Sequence, residues 1–255
     1  MASWPELLLL AVSPSVFLLW FFYHKDRYEH EPVSFLAKVF LLGAVTTILA
    51  SLIEAFVGVP LFQPDSGLLQ SILFFFIVVG PAEEFSKFAA VRVRAYRSPE
   101  FDEPMDGIVL GVSAALGFAT VENIAYVFTA PPEAQVATAI ARAFLSVPAH
   151  AFWGAITGFF LGQAKYLKKP SLAYIGLAIA ALLHGAFDAT SSVIDAVTGD
   201  SLALTIFGIL VLGGMVYLSY LKIVKPEILK AEDESPFKNQ HPSNRSKQTG
   251  PDTMG

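Results

Sequence analysis

Three short segments carry ionisable residues at helical spacing inside otherwise apolar sequence. "EEFSK" places Glu83 and Lys87 four residues apart and Glu84 and Lys87 three apart, so each pair can meet on one helical face. "HGAFD" does the same for His184 and Asp188, and "VPAHAFWG" adds His150 two residues after Pro148. Pro81 likewise stands two residues before Glu83, and "GFATVEN" contributes the neighbours Glu122 and Asn123. Carboxylates beside imidazoles can take a proton from water, and imidazole N–H groups can hold a carbonyl oxygen as it gains negative charge. The same residue types also ligate metals, so metal-polarised water stays open as a second chemistry. No Ser/His/Asp arrangement is evident, and the HExxH zinc motif is absent.

These groups must be held by elements that live in lipid. Hydrophobic residues make up 54% of the 255 and charged residues only 15%, too apolar for a soluble domain of this length. A spanning helix needs about 20 mostly apolar residues. By that measure seven spans are expected, over 5–23, 33–57, 68–91, 105–128, 136–166, 172–197 and 202–223. The fold class is therefore an all-α, polytopic helix bundle occupying residues 1–224. Residues 225–255, polar and rich in Ser, Asn, Lys and Pro, are expected to be a disordered cytosolic tail. No internal repeat is visible. The absence of cysteine excludes thiol nucleophiles and disulfides, and no phosphate loop or basic-aromatic patch points to nucleic acid.

Basic residues follow the first, third, fifth and seventh spans, whereas "GVPLFQPDSG", "TAPPEAQ" and "TGDS" contain none. That alternation predicts the N-terminus outside and the C-terminus in the cytosol, with anionic lipid as neighbour. Depth then follows from about 1.5 Å of rise per residue. His150 lies about 22 Å from Lys165, His184 about 22 Å from Lys169, and Glu122 about 25 Å from Met105. These share one level, towards the outer leaflet. Glu83 joins them if the third helix runs on to Arg97, about 21 Å away. Intramembrane charge costs about 2.5–3.5 kcal/mol per residue on insertion scales, so such a gathering reads as functional. Two prolines beside ionisable groups suggest bent helices around a wet pocket. Asp106 reads as the N-cap of the fourth span, and Glu54 as an interfacial residue. Arg142 is divided evenly between pairing with a site carboxylate and reaching outer headgroups.

The ordered set "EEFSK", "GFATVEN", mid-helix His150 and "HGAFD", together with "DRYEHEP" and "DEPMDGI", resembles the PrsW family of intramembrane proteases, related to the CAAX-processing and bacteriocin-immunity-type clan. The resemblance covers roughly Asp26 to Asp188. It implies an endopeptidase cutting membrane-anchored proteins, such as an anti-sigma factor, near the extracytoplasmic side. Carried onto this chain, Glu83 with His150 would activate water, and His184 with Asp188 would sit around the oxyanion. Glu84 and Lys87 would support the base, with Glu122 and Asn123 as an additional pair. Two positions depart from the related CAAX-type enzymes. Ser146 stands where a phenylalanine is usual, and Asp188 stands where an asparagine is usual. An ionised Asp188 cannot donate to an oxyanion; protonation, orientation of His184 or ligation of a divalent metal such as zinc would each explain it. A metal at Glu83, His150, His184 and Asp188 therefore enters as an expectation, with oligomeric state left open. Two rival classes remain: a proton- or ion-coupled transporter, and a non-catalytic binding or immunity protein. Lack of an inverted repeat counts against the first.

Overall fold

A computed structural model describes residues 2–63, 67–199 and 201–239. Among the described residues, seven helices are long and apolar enough to span a membrane, as the hydropathy pattern predicts. They are built from α1 (Trp4–Tyr23), α2 (Val33–Phe62), α3 (Leu68–Arg94), α4 (Pro104–Thr129), a fifth span broken into α5 (Gln135–Phe144) and α6 (Ser146–Tyr166), α7 (Ser171–Thr198) and α8 (Leu202–Glu234).

α4 is the central helix, and nearly all of it from Pro104 to Thr120 is buried. It packs on α6, α2 and α1, while α3 and α7 close the far side of the site. Close approach explains its small residues. A Cβ on Gly158 would lie 1.9 Å from the Gly107 carbonyl oxygen, so α4 and α6 can touch only with hydrogen there. Small residues at such crossings let backbones meet where lipid supplies no hydrophobic drive for helix pairing. Polar side chains add pins between helices. Ser113 Oγ donates to the Leu36 carbonyl at 2.9 Å, and Asn123 Nδ2 donates to the Ala11 carbonyl at 2.7 Å.

The prolines bend the helices that carry the site, as expected. Pro148 cannot donate to Phe144 and its ring crowds that carbonyl, and the span breaks between them at Leu145. Pro81 follows a π-helical turn over Phe75–Val79, which absorbs the missing backbone bond. Gly80 then allows α3 to lie against α7, since a Cβ there would sit 2.5 Å from the Ala181 carbonyl oxygen.

Three expectations need correction. α3 ends at Arg94 and does not reach Arg97; Ala95 takes the C-cap position. The N-cap of α4 is Glu103, not Asp106. Asp106 instead reaches back from the first turn, its Oδ2 accepting from the Asp102 and Glu103 backbone N–H groups at 2.8 and 2.7 Å. The last helix also continues to Glu234, so disorder does not begin at Lys225. Val224, Ile228 and Ala231 recur at helical spacing and are buried in the main core, which holds this stretch in place. The rest of the expected tail, 240–255, lies outside the described residues.

Candidate active site

α3, α4, α6 and α7 each deliver ionisable side chains to one place. Lys87 is the hub. Buried on α3, its ammonium contacts Glu84 Oε1 at 2.8 Å, Glu83 Oε2 at 3.1 Å and His150 Nδ1 at 2.8 Å. Those three contacts use all three ammonium protons. The Phe118 ring lies 4.4 Å from the same nitrogen, adding a cation–π contact.

The two histidines are fixed differently. With Lys87 donating to His150 Nδ1, the ring proton belongs on Nε2, which donates to Glu122 Oε2 at 2.8 Å. Arg142 holds that glutamate from the other side, Nη2 reaching Glu122 Oε2 at 2.8 Å and Nε reaching Asn123 Oδ1 at 2.8 Å. Arg142 thus pairs with a site carboxylate. His184 turns Nδ1 to Glu84 Oε1 at 2.9 Å, and a carboxylate only accepts, so Nδ1 carries the proton. Its Nε2 faces Asp188 Oδ2 at 3.2 Å and Glu83 Oε2 at 3.7 Å. Trp153 stacks on the His184 ring with centroids 4.3 Å apart. The two imidazoles stand perpendicular, centroids 5.2 Å apart.

Glu83, Glu122, His150, His184 and Asp188 line a cavity of about 560 Å³ at the end of the bundle where α4 finishes and α6 begins. Thr47, Ser51, Glu54, Tyr126, Arg142, Ser146, Ser191, Ser192 and Asp195 complete its polar wall. The cavity extends along α2 through Thr47 and Ser51 to Glu54, so this residue, read from sequence as interfacial, also lines the cavity. Glu84 and Lys87 lie behind this wall, and Asn123 faces α1. Tyr126 sits one turn beyond Glu122, a spacing from which sequence reasoning could have found it.

The donor set suits a divalent metal. Glu83, His150 and His184 offer ligand atoms all within 4.8 Å of one another. Bonds of about 2.0–2.1 Å in a tetrahedral zinc site put neighbouring donors about 3.4 Å apart, so modest side-chain closure is needed. His184 already has its second nitrogen held by a carboxylate, the usual support for a metal-binding imidazole. Both His150 nitrogens are engaged, so it fits only if Lys87 releases Nδ1 or Glu122 releases Nε2.

A second gathering of carboxylates occupies the opposite end of α4. Asp26, Glu31, Glu103 and Asp106 are all buried there. Burial, reinforced by Glu103, pushes Asp26 up to about 7. Burial also lifts Glu31 to about 8, with neighbouring acids adding to it, and Glu103 to about 7.

The PrsW family intramembrane metalloprotease profile matches residues 31–218. Protease PrsW of Geobacillus kaustophilus (strain HTA426) is 38% identical over 188 residues, covering 72% of this chain and 78% of that protein. Protease PrsW of Clostridioides difficile (strain 630) is 33% identical over 187 residues, covering 72% and 78%. For Protease PrsW of Bacillus subtilis (strain 168) the values are 35% over 180 residues, covering 69% and 78%. No solved structure gives a significant match. Seven apolar spans and bacterial relatives make this a multi-pass integral membrane protein of a prokaryote. With half of its length and more matched, the chain belongs to the PrsW family of intramembrane metalloproteases, and it is a peptidase.

Proposed function

We propose that the chain cuts membrane-anchored proteins at the cavity where α3, α4, α6 and α7 converge, and that Glu83 is indispensable to the reaction. The observation that carries this reading is the joint exposure of Glu83, His150, His184 and Asp188 to one polar cavity inside an apolar bundle. The alternation of basic loops supports an extracytoplasmic position for that cavity. A single-span protein, such as an anti-sigma factor, is the substrate class the family resemblance implies.

Two versions of the chemistry fit the geometry. In the glutamate version, Glu83 takes the proton of the attacking water. His150, protonated on Nε2, donates to the carbonyl oxygen as charge develops there, while Arg142 retains Glu122. Lys87 and Glu84 act as positioning residues, the first aiming Glu83 and His150, the second fixing the His184 ring. In the metal-assisted version, Glu83, His150 and His184 would hold the ion, with Asp188 beside His184. Such an ion supplies Lewis-acid polarisation and a more acidic water. Glu122, outside that donor set, is then the carboxylate placed to accept the proton.

Cleavage of a single-span substrate in proteoliposomes separates the versions. Glu83→Gln should abolish turnover in both. Strong chelation that abolishes cleavage, restored by zinc, together with loss in Glu122→Gln, selects the metal version. Full activity in chelator selects the other. Unchanged cleavage by Glu83→Gln overturns both.

A further inference from the structure

The peptidase reading leaves "DRYEHEP" and "DEPMDGI" without a task, yet these two segments supply the second cluster of acids. Asp26 and Glu31 come from the connection between α1 and α2, Glu103 and Asp106 from the start of α4. Asp106 is sixteen residues from Glu122 on the same helix, so about 24 Å separates this cluster from the candidate active site. It is a different place with a different donor set.

Carboxylates buried together need compensation. Asp26 and Glu31 are 2% and 1% exposed, and Asp106 is fully buried. Asp26 Oδ2, Asp106 Oδ1 and both oxygens of Glu31 have no hydrogen-bond partner among the described residues. Buried charge without a partner costs several kcal/mol. The neighbouring cations are engaged elsewhere. Lys165 feels the field of Asp106, Asp102 and Glu31, but its ammonium donates to the Ser98 and Phe101 carbonyls. Arg27 pairs with Glu232 at 3.2 Å.

Oxygens of this cluster are also spaced for an ion. Asp26, Glu103 and Asp106 each offer one carboxylate oxygen, all within 4.8 Å of one another. A calcium-type ion bonds oxygen at about 2.3–2.6 Å, so donors on opposite sides of it stand up to about 5 Å apart. The observed spacing accepts such an ion with little movement. Oxygen-only donors select hard cations over the softer ions that imidazole favours. We propose that Asp26, Glu103 and Asp106 form a second divalent-cation site, for calcium, magnesium or manganese, tying the α1–α2 connection to the start of α4, with Glu31 as the adjoining carboxylate.

The test uses the full chain, purified in detergent and stripped with EDTA. Manganese alone is the probe, its free form counted by electron paramagnetic resonance, with calcium as competitor. A His150→Ala/His184→Ala variant, which disables the other centre, should still bind one manganese per chain and melt several degrees higher with it. Asp26→Asn/Asp106→Asn in that background should lose this binding at least 100-fold and lose the thermal response. Without cation it should be at least as stable as its parent, because the repulsion is relieved. Should the double substitution fail to fold, Glu103→Gln alone should weaken binding at least tenfold. Failure of the histidine-deficient protein to bind manganese overturns the proposal. So does equal binding by that protein and every carboxylate variant that folds.

Discussion

Two groups of buried acids sit at opposite ends of α4, and they are treated in opposite ways. At one end Glu83, Glu84 and Glu122 are met by Lys87, Arg142 and two imidazoles, at distances of 2.8–3.7 Å. At the other end Asp26, Glu31, Glu103 and Asp106 stand together while Lys165 and Arg27 bond elsewhere. Compensation by fixed side chains keeps charged groups in place without outside help, so their lone pairs and protons can be directed at a substrate. A cluster without it is stable only with protons or a cation on it. The same residue type therefore marks a reaction centre in one place and an ion seat in the other.

The largest effect should come from removing the compensating charge at the first end. Lys87→Met leaves Glu83 and Glu84 buried without their ammonium, and breaking such a pair costs about 3–5 kcal/mol. Melting in detergent should drop sharply and cleavage should vanish. A variant that melts like the parent would show that Lys87 is not the hub. Gly80→Ala should have a smaller cost, about 1–3 kcal/mol of overpacking, because its Cβ would meet the Ala181 carbonyl at 2.5 Å. The strain pushes α3 from α7 and loosens the Glu84–His184 contact, so turnover should fall more than substrate affinity. Equal turnover and stability would mean that the helices adjust freely.

At the second end the sign reverses. Asp26→Asn should raise the melting temperature by a few degrees in chelator, whereas a drop would mean that the backbone hydrogen bonds this carboxylate accepts from Tyr28 and Glu29 outweigh the repulsion. The pH dependence there is gentler. Asp26 at about 7, Glu31 at about 8 and Glu103 at about 7 are raised above the usual carboxylate value near 4, so the folded state keeps protons that the unfolded state has lost. In chelator, stability should fall as pH rises from about 4 to about 8 and then level off. Saturating calcium should flatten that slope. A slope unchanged by calcium, or of opposite sign, would separate these acids from the stability of the fold.

Much of the first end is legible in the sequence alone. The seven spans follow from hydropathy, and helical spacing brings Glu83 to Lys87 and His184 to Asp188. Depth counted along each helix puts His150, His184 and Glu122 at one level, and they do share one cavity. Glu83 reaches it even though α3 stops at Arg94, because depth is set by packing against α7 and not by where the helix ends. What spacing does not show is the division of labour across helices. Glu84 turns to His184 and Glu122 to His150, both partners distant in sequence. Glu54 joins the cavity wall because α3, α4 and α7 leave room along α2 past Thr47 and Ser51. The second end escapes sequence reasoning for a related reason. Asp106 looks like a local cap, and only folding brings Asp26, from the segment after α1, against it.

The most direct test of the central claim is the cleavage rate of Glu83→Gln on a single-span substrate in liposomes, measured beside its melting curve. The glutamine keeps the shape and removes the charge. The expected result is a loss of at least 100-fold with melting close to the parent protein. Cleavage at the parent rate by a folded Glu83→Gln protein would contradict the account.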